Sequence, residues 1–129
     1  MPVETISREI DYKLYLSGVL AKKGFKVFLG KKNEIYSLFQ NLNSNFAYID
    51  KGFHENVSVE NIYKVIKKNS GIIFHLDEEG AIDFKDYPNI KRRYSKDVFE
   101  YCDKIFLWGN HQKKILQDSK FFDKDKVLV

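Results

Sequence analysis

The order of apolar and polar residues predicts a helix over residues 7–23, followed by a strand over residues 25–30. Apolar positions recur there at helical spacing, Ser7 can cap the start, and Gly24 follows a basic last turn. The short apolar run after Gly24 is typical of a chain that turns tightly into a buried strand. The apolar residues that recur at helical spacing are Ile10, Leu14, Leu16, Val19, Leu20 and Ala21.

The same alternation continues to the end of the chain. We predict further helices over residues 33–41, 59–68, 95–102 and 110–118, and strands over residues 46–50, 71–76, 104–109 and 126–129. Helices that alternate with short apolar strands imply parallel pairing with right-handed crossovers and helices on both faces of the sheet. The sequence therefore predicts an α/β fold, a Rossmann-like three-layer α/β/α arrangement with a mostly parallel sheet.

The length of 129 residues fits a single domain over residues 1–129. Residues 1–4 are too short for a full first strand, and no helix follows the strand at 126–129. We therefore expect a fragment of a longer two-domain chain. An open sheet edge at Val129 also leaves a homodimer as an alternative, because unpaired edges invite pairing.

Composition narrows the class of protein. Hydrophobic residues make up 43% and aromatic residues 16% of the chain, which is enough for a core and argues against fibrous or disordered classes. No apolar run is long enough to span a bilayer, and the charged first 20 residues do not resemble a signal peptide. The single cysteine, Cys102, excludes an internal disulfide and a multi-cysteine zinc site. These features predict a cytoplasmic protein.

The charge is mildly basic, with 22 Lys and Arg against 18 Asp and Glu. The arginines, which most often grip phosphates and base edges, are Arg8, Arg92 and Arg93. The lysines are scattered, so we expect no nucleic-acid partner. Attraction to anionic substrates or to the cytoplasmic face of the inner membrane stays open as an alternative.

The loop after the fourth predicted strand carries Asp77, Glu78 and Glu79 before Gly80. Ligands of parallel sheets bind at the carboxyl ends of the strands, and adjacent carboxylates that repel one another can supply a general base. The alternative is that these carboxylates only end the strand in solvent. No second cluster of oxygen ligands is evident, so we predict no metal site.

Other polar residues occupy neighbouring loops and helix starts. Glu4 and Arg8 flank the first helix N-terminus, where an anion or a hydroxyl-rich ligand is favoured, although Arg8 and Glu9 could also form a surface pair. His54 follows the third strand and could move a proton, or simply face solvent. No glycine-rich phosphate loop is present, so we predict no cofactor in this chain.

Two further sites have structural alternatives of similar weight. Arg92 and Arg93 could clamp a carboxylate or phosphate, or begin a solvated helix. Trp108, three residues before His111, could stack on a sugar or fill a core. His75, within an apolar strand, and Cys102, on the apolar side of a helix, are expected to be buried structural residues.

Five segments, in order, resemble the N-terminal half of bacterial surface carbohydrate (polysaccharide) biosynthesis proteins, which are glycosyltransferase-like enzymes of capsule, lipopolysaccharide or O-antigen assembly. These segments are ETISREIDYKL (4–14), GKKNEI (30–35), DKGFH (50–54), LDEEGA (76–81) and RRY (92–94). The resemblance implies a GT-B arrangement, in which this N-terminal domain holds a sugar or lipid-linked acceptor. A C-terminal domain missing from this chain would hold the nucleotide-sugar donor.

The resemblance also implies roles for particular residues. Glu79 or Glu78 is the first candidate for the base that deprotonates the acceptor, followed by Glu4 and then His54. The residues expected to bind substrate are Arg8, Asp77, Arg92, Arg93 and His111, with the arginines orienting acidic sugars or lipid-linked phosphate. Without its donor half, the isolated chain is expected to be inactive.

Two alternatives to a glycosyltransferase stay open from the sequence. One is a related GT-B enzyme, such as a nucleotide-sugar epimerase or a polyol-phosphate transferase. The other is a non-catalytic Rossmann-like interaction domain, in which the same carboxylates are solvated and an apolar edge mediates association.

Overall fold

The computed structural model describes residues 1–39, 41–42, 45–52, 58–81 and 90–129. The chain forms two compact units, unit 1 (Met1–Leu42) and unit 2 (Asn43–Val129), and each is described by itself. Unit 1 contains β1 (Pro2–Val3), α1 (Ile6–Lys22), β2 (Gly30–Lys31) and α2 (Lys32–Phe39). Unit 2 contains β3 (Ala47–Asp50), α3 (Ser58–Lys68), β4 (Ile72–Leu76), α4 (Ile90–Arg93), α5 (Lys96–Tyr101), β5 (Lys104–Phe106), α6 (Asn110–Leu116) and β6 (Val127–Leu128).

The predicted α/β class is confirmed, because helices alternate with parallel strands in both units. In unit 1, β1 pairs with β2 in parallel, and in unit 2 the order is β3-β4-β5-β6 with parallel pairing throughout. This arrangement is consistent with a Rossmann-like fold. Among the described residues, no helix combines the length and the apolar character needed to cross a membrane.

The sheet of unit 2 has two unlike faces. Pairing aligns Tyr48 with Ile73 and Asp50 with His75, and all four side chains are buried. The alternate residues of the strands form the other face, where Ile72, Phe106 and Leu128 are all exposed. The core of unit 2 therefore lies on one side of the sheet, the side that carries Asp50 and His75.

Helices α1 and α3 end in the same backbone motif. In α1 the N–H groups of Gly24 and Phe25 donate to the carbonyls of Ala21 and Leu20, at 2.9 and 3.1 Å. In α3 the N–H groups of Ser70 and Gly71 donate to Lys67 and Ile66 in the same way. This Schellman motif requires a left-handed residue, which is Gly24 at φ 89° in α1 and Ser70 at φ 58° in α3.

Helix α1 corrects the predicted N-cap. Ser7 lies inside the helix and the N-cap is Thr5, without a side-chain cap hydrogen bond. The carboxylate of Glu9 accepts the N–H groups of Glu4 and Thr5 instead, at 3.0 and 3.1 Å. The fully buried residues of α1 are the charged Glu9 and Lys13, whereas the apolar Leu14 is exposed.

The first two strands also differ from their predictions. Residues 1–4, judged too short for a full strand, supply the two-residue β1, which pairs Pro2 with Gly30 and Val3 with Lys31. The strand predicted over residues 25–30 is reduced to Gly30–Lys31. A strand extends only as far as a partner backbone is available for hydrogen bonding. Because β1 has two residues, β2 also has two.

Candidate functional site

The carboxyl end of β4 brings Asp77 into a built polar cluster. Its side chain is buried, and its Oδ1 accepts hydrogen bonds from Arg93 Nη1 at 2.9 Å and from the Glu79 N–H at 3.2 Å. The Gly80 N–H donates to the Asp77 carbonyl at 3.2 Å. A Cβ atom on Gly80 would lie 2.7 Å from Asp77 Oδ2, so only glycine fits beside this carboxylate.

Arg93 links the two carboxylates of this loop. Its Nη2 lies 3.5 Å from Glu79 Oε2, while its Nη1 contacts Asp77. The repulsion expected between adjacent carboxylates is therefore offset by a guanidinium from α4. The side chain of Glu79 is 47% exposed, so its carboxylate stays within reach of a ligand in solvent.

Trp108, two residues after the end of β5, is held at the same edge of the sheet. Its indole Nε1–H donates to the Asp77 carbonyl at 2.6 Å, and its main-chain N–H donates to Gln112 Oε1 at 2.8 Å. The buried Gln112 also donates through Nε2 to the Gly80 carbonyl. Although the polar edge of the indole is fixed in this way, the residue remains 55% exposed, and its ring offers a stacking surface.

Asp50, at the carboxyl end of β3, anchors a second and deeper network. Its carboxylate accepts the hydroxyl of Tyr63 at 2.5 Å, the hydroxyl of Tyr48 at 3.3 Å and the Gly52 N–H at 3.3 Å. Burial, the larger cause, and the charge of Asp50 together hold the pKa of Tyr63 well above its ordinary value. Tyr63 therefore remains a proton donor to Asp50 across the physiological range.

His75 completes this network from β4. Its Nδ1 lies 3.3 Å from Asp50 Oδ2, and its ring packs edge-on against Tyr94 with 5.2 Å between centroids. The prediction that His75 is a hydrogen-bonded core residue is confirmed. Cys102 is also buried as predicted, and burial, with Asp50 nearby, raises the pKa of its thiol, which argues against a nucleophile.

The structure brings several of the predicted site residues together and leaves others apart. Asp77, Glu79 and Arg93 meet in one cluster, and the Glu78 N–H ties the same loop to the Lys51 carbonyl at 3.0 Å. Arg92 on α4 and His111 on α6 are exposed, without a described contact to the cluster. His54 lies outside the described residues.

Glu4 and Arg8 belong to unit 1, and each has an ion pair within that unit. Glu4 Oε1 lies 3.1 Å from Lys32 Nζ, and Arg8 Nη2 lies 3.5 Å from Glu9 Oε1. The alternative of an exposed Arg8–Glu9 pair is half right, because Arg8 is exposed but Glu9 is buried. Their predicted roles in catalysis and in substrate binding stay predictions.

Sequence reasoning missed Gln112 and the hydroxyls around Asp50. Gln112 follows Trp108 by four residues, but Trp108 lies before α6, so helical spacing alone does not signal their contact. Tyr63 reaches Asp50 from α3, a pairing that no local pattern encodes. Across the described part of the chain, no group of three or more His, Cys, Asp or Glu side chains is arranged to hold a metal ion.

Comparison of the chain with protein-family models, with curated proteins and with solved structures gives no significant match in any of the three. The functional argument therefore rests on the geometry of the cluster and on the sequence.

Proposed function

We propose that the loops after β4 and β5 form a sugar-binding site, and that the chain is the acceptor-binding part of a glycosyltransferase-like enzyme of bacterial surface polysaccharide biosynthesis. The observation that carries the proposal is the pairing of an exposed indole with an exposed carboxylate. Trp108 and Glu79 both attach to the backbone or side chain of Asp77, at the carboxyl edge of a parallel sheet. Ligands of such sheets bind at this edge.

The chemistry of the cluster suits a hydroxyl-rich ligand. An indole face packs against the apolar C–H face of a sugar ring, and a carboxylate accepts hydrogen bonds from its hydroxyls. Arg93 and the hydrogen bonds of Trp108 and Gln112 hold these groups in place before a ligand arrives. Preorganisation of this kind reduces the entropy lost on binding.

Glu79 is proposed as the base that deprotonates the acceptor hydroxyl. It is more exposed than Asp77, whose Oδ1 is already engaged by Arg93 and by the Glu79 N–H. Glu78, which the sequence alone ranks equal with Glu79, becomes the second candidate, with Glu4 and His54 behind it. Arg93 holds Glu79, and Arg92 would contact the acidic or phosphorylated part of an acceptor.

The donor half of a GT-B enzyme would come from a further domain that binds the nucleotide-sugar. That division would leave this chain with acceptor binding alone and no turnover by itself. In the complete enzyme, E79Q is expected to lower kcat by roughly a hundredfold or more, because a positioned base contributes about that much. Turnover within a few-fold of the parent would remove Glu79 from the role of base.

Acceptor binding can be tested on the chain itself, because Trp108 is its single tryptophan and reports on the site by fluorescence. We expect saturable changes with N-acetylglucosamine 1-phosphate or glucuronic acid, and a Kd raised roughly tenfold by E79Q. The matched control is E100Q, an exposed carboxamide replacement on α5. No saturable signal up to about 50 mM of either sugar would overturn the proposal.

A non-catalytic interaction domain is the second candidate, and one observation favours it. The face of the unit 2 sheet opposite Asp50 exposes Ile72, Phe106 and Leu128. Exposed apolar side chains on neighbouring strands are typical of interaction surfaces. If the chain is an interaction domain that associates through this face, I72S/L128S will change its association state and leave the Trp108 fluorescence response to sugars unchanged.

A further inference from the structure

A surface of unit 1 combines exposed aromatic side chains with lysines. The segment of residues 22–31 contains four lysines and no carboxylate. Phe25 and Phe28 within it are 60% and 45% exposed. Phenylalanines are usually buried in folded proteins, so two half-exposed ones three residues apart need an explanation.

The backbone holds this segment in place. The Phe25 N–H donates to the Leu20 carbonyl at 3.1 Å through the turn at Gly24, and the Phe28 carbonyl accepts from the Met1 nitrogen at 2.9 Å. Gly30 and Lys31 pair with β1. The two rings are therefore displayed by a segment that is tied to α1, to Met1 and to β1.

Helix α1 extends the same surface. Tyr15 and Val19 lie on the face of α1 that leads to Lys22, because residues three, four and seven apart share a helix face. Tyr15 is highly exposed and Val19 is half-buried. Lys22, Lys23 and Lys26 are exposed beside these apolar groups.

The positive charge of this surface favours an anionic partner. The nearest carboxylate along the chain, Glu34, accepts the main-chain N–H of Lys31 at 3.1 Å. The exposed Lys22, Lys23 and Lys26 form the cationic centre of the surface. Aromatic rings that can enter the headgroup region, surrounded by lysines, match the two requirements of a peripheral membrane contact. The combination fits an anionic lipid surface better than a neutral one.

We infer that the segment of residues 22–31 docks unit 1 onto an anionic bilayer, with Phe25 and Phe28 inserted among the headgroups and Lys22, Lys23 and Lys26 against the lipid phosphates. This inference is independent of the proposed sugar site, which lies in unit 2. The docking requires no sugar.

Vesicle sedimentation tests the inference with the whole chain. The chain is expected to sediment with vesicles of about 30 mol% phosphatidylglycerol in phosphatidylcholine, and not with phosphatidylcholine alone. F25S/F28S should weaken binding roughly tenfold or more, because the inserted apolar area is lost. K23E/K26E should weaken it roughly a hundredfold, since each lysine near such a surface contributes about a factor of five and reversal adds repulsion.

A charge-matched control separates a specific surface from general basicity. K120E/K124E changes two exposed lysines of unit 2 by the same net charge and should keep binding within roughly threefold of the parent. Equal loss in both lysine pairs would overturn the assignment, as would binding that F25S/F28S leaves intact in variants with unchanged circular dichroism. If the parent chain does not bind vesicles but forms a dimer that F25S/F28S dissociates, the surface binds a second copy of the chain and the membrane contact is overturned.

Discussion

In unit 1 the buried polar side chains of α1 are Glu9 and Lys13, with Lys13 Nζ 2.7 Å from Glu9 Oε2, while apolar residues of the same helix are exposed. In unit 2 the buried Asp50 accepts hydrogen bonds from neutral donors, the hydroxyls of Tyr48 and Tyr63. The Glu9 carboxylate of unit 1 is thus paired with an opposite charge, whereas the Asp50 carboxylate of unit 2 is surrounded by hydroxyl dipoles.

The difference shows what each buried charge organises. Lys13 also donates to the Pro2 carbonyl at 2.5 Å, and Glu9 accepts the N–H groups of Glu4 and Thr5. The ion pair therefore joins β1 to α1. Asp50 instead joins β3 to α3 through Tyr63 and to β4 through His75, so it fixes the strand ends near the candidate site.

The largest expected effect is on the ion pair of unit 1. E9A would leave the ammonium of Lys13 buried without its carboxylate and is expected to destabilise the fold by about 3–5 kcal/mol. Denaturant unfolding followed by far-UV circular dichroism measures the change. The control D11A removes an exposed carboxylate from the same helix and should stay within about 0.5 kcal/mol of the parent. A similar small effect for E9A would contradict the assigned role of the pair.

The corresponding change in unit 2 is D50A, which leaves the buried hydroxyls of Tyr48 and Tyr63 without this acceptor. We expect a loss of about 3 kcal/mol, and a smaller loss for D50N, which keeps one acceptor oxygen. Trp108 fluorescence follows the unfolding of unit 2 directly. The exposed Asp118 supplies the control D118A, and equal midpoints for D50A and D118A would show that the network adds no stability.

The shared helix ending sharpens the comparison at a smaller scale. Ser70 occupies the left-handed position that Gly24 fills in unit 1, so S70G should stabilise the chain by about 0.5–1 kcal/mol. The reciprocal G24S should destabilise it by about 1 kcal/mol. Thermal unfolding of the two variants tests the sign, and a lower melting temperature for S70G would be the contrary result.

The partly exposed ion pairs of the two units should respond to opposite ends of the pH scale. Partial burial raises the pKa of Asp103 in unit 2. Hydrogen bonds from Lys67 and from the Ile73 N–H lower this pKa by a larger amount, so the net shift is downward. Its stabilisation is present above the unfolded pKa, near 4, and is lost as pH falls through the lower folded value.

Burial lowers the pKa of Lys32 in unit 1, but Tyr36 and Glu4 raise it above its ordinary value. That stabilisation is present below about pH 10.4 and is lost as pH rises through the folded value.

Two substitutions test this difference. D103N should lower stability by about 0.5–1 kcal/mol at neutral pH, with the gap from the parent closing in acid. K32M should lower it by about 0.5 kcal/mol, with the gap closing only in strong alkali. Urea unfolding across the pH range measures both gaps, and gaps that do not change with pH would argue that packing, not charge, is lost.

Periodicity was sufficient to predict the alternation of helices and strands but not which side of a helix is buried. The apolar residues of α1 follow helical spacing, yet burial there depends on Lys13 reaching the Pro2 carbonyl, an interaction between different elements. The strand predicted at 25–30 failed for a similar reason, since its extent depends on the length of β1. The short helix α4 was missed as a separate element because its four residues hold little periodicity.

The candidate site was predicted in part because loops after parallel strands can be found from the sequence. Asp77 and Glu79 follow from that rule, and Arg93 was a candidate on its own. Their meeting depends on the path of the chain between β4 and α4, which the sequence does not encode locally. Gln112 was missed because one polar residue on a helix gives no signal until the carbonyl of Gly80 lies beside it.

The four strands of unit 2 stand in the sheet in the order in which they occur along the chain. A growing polypeptide can therefore add β4 to β3, β5 to β4 and β6 to β5, each as it leaves the ribosome, without waiting for a later strand to insert between earlier ones. Pairing between successive strands keeps the closed loops short, and short loops favour rapid folding. The exposed edge at each stage is then the template for the next strand to be synthesised.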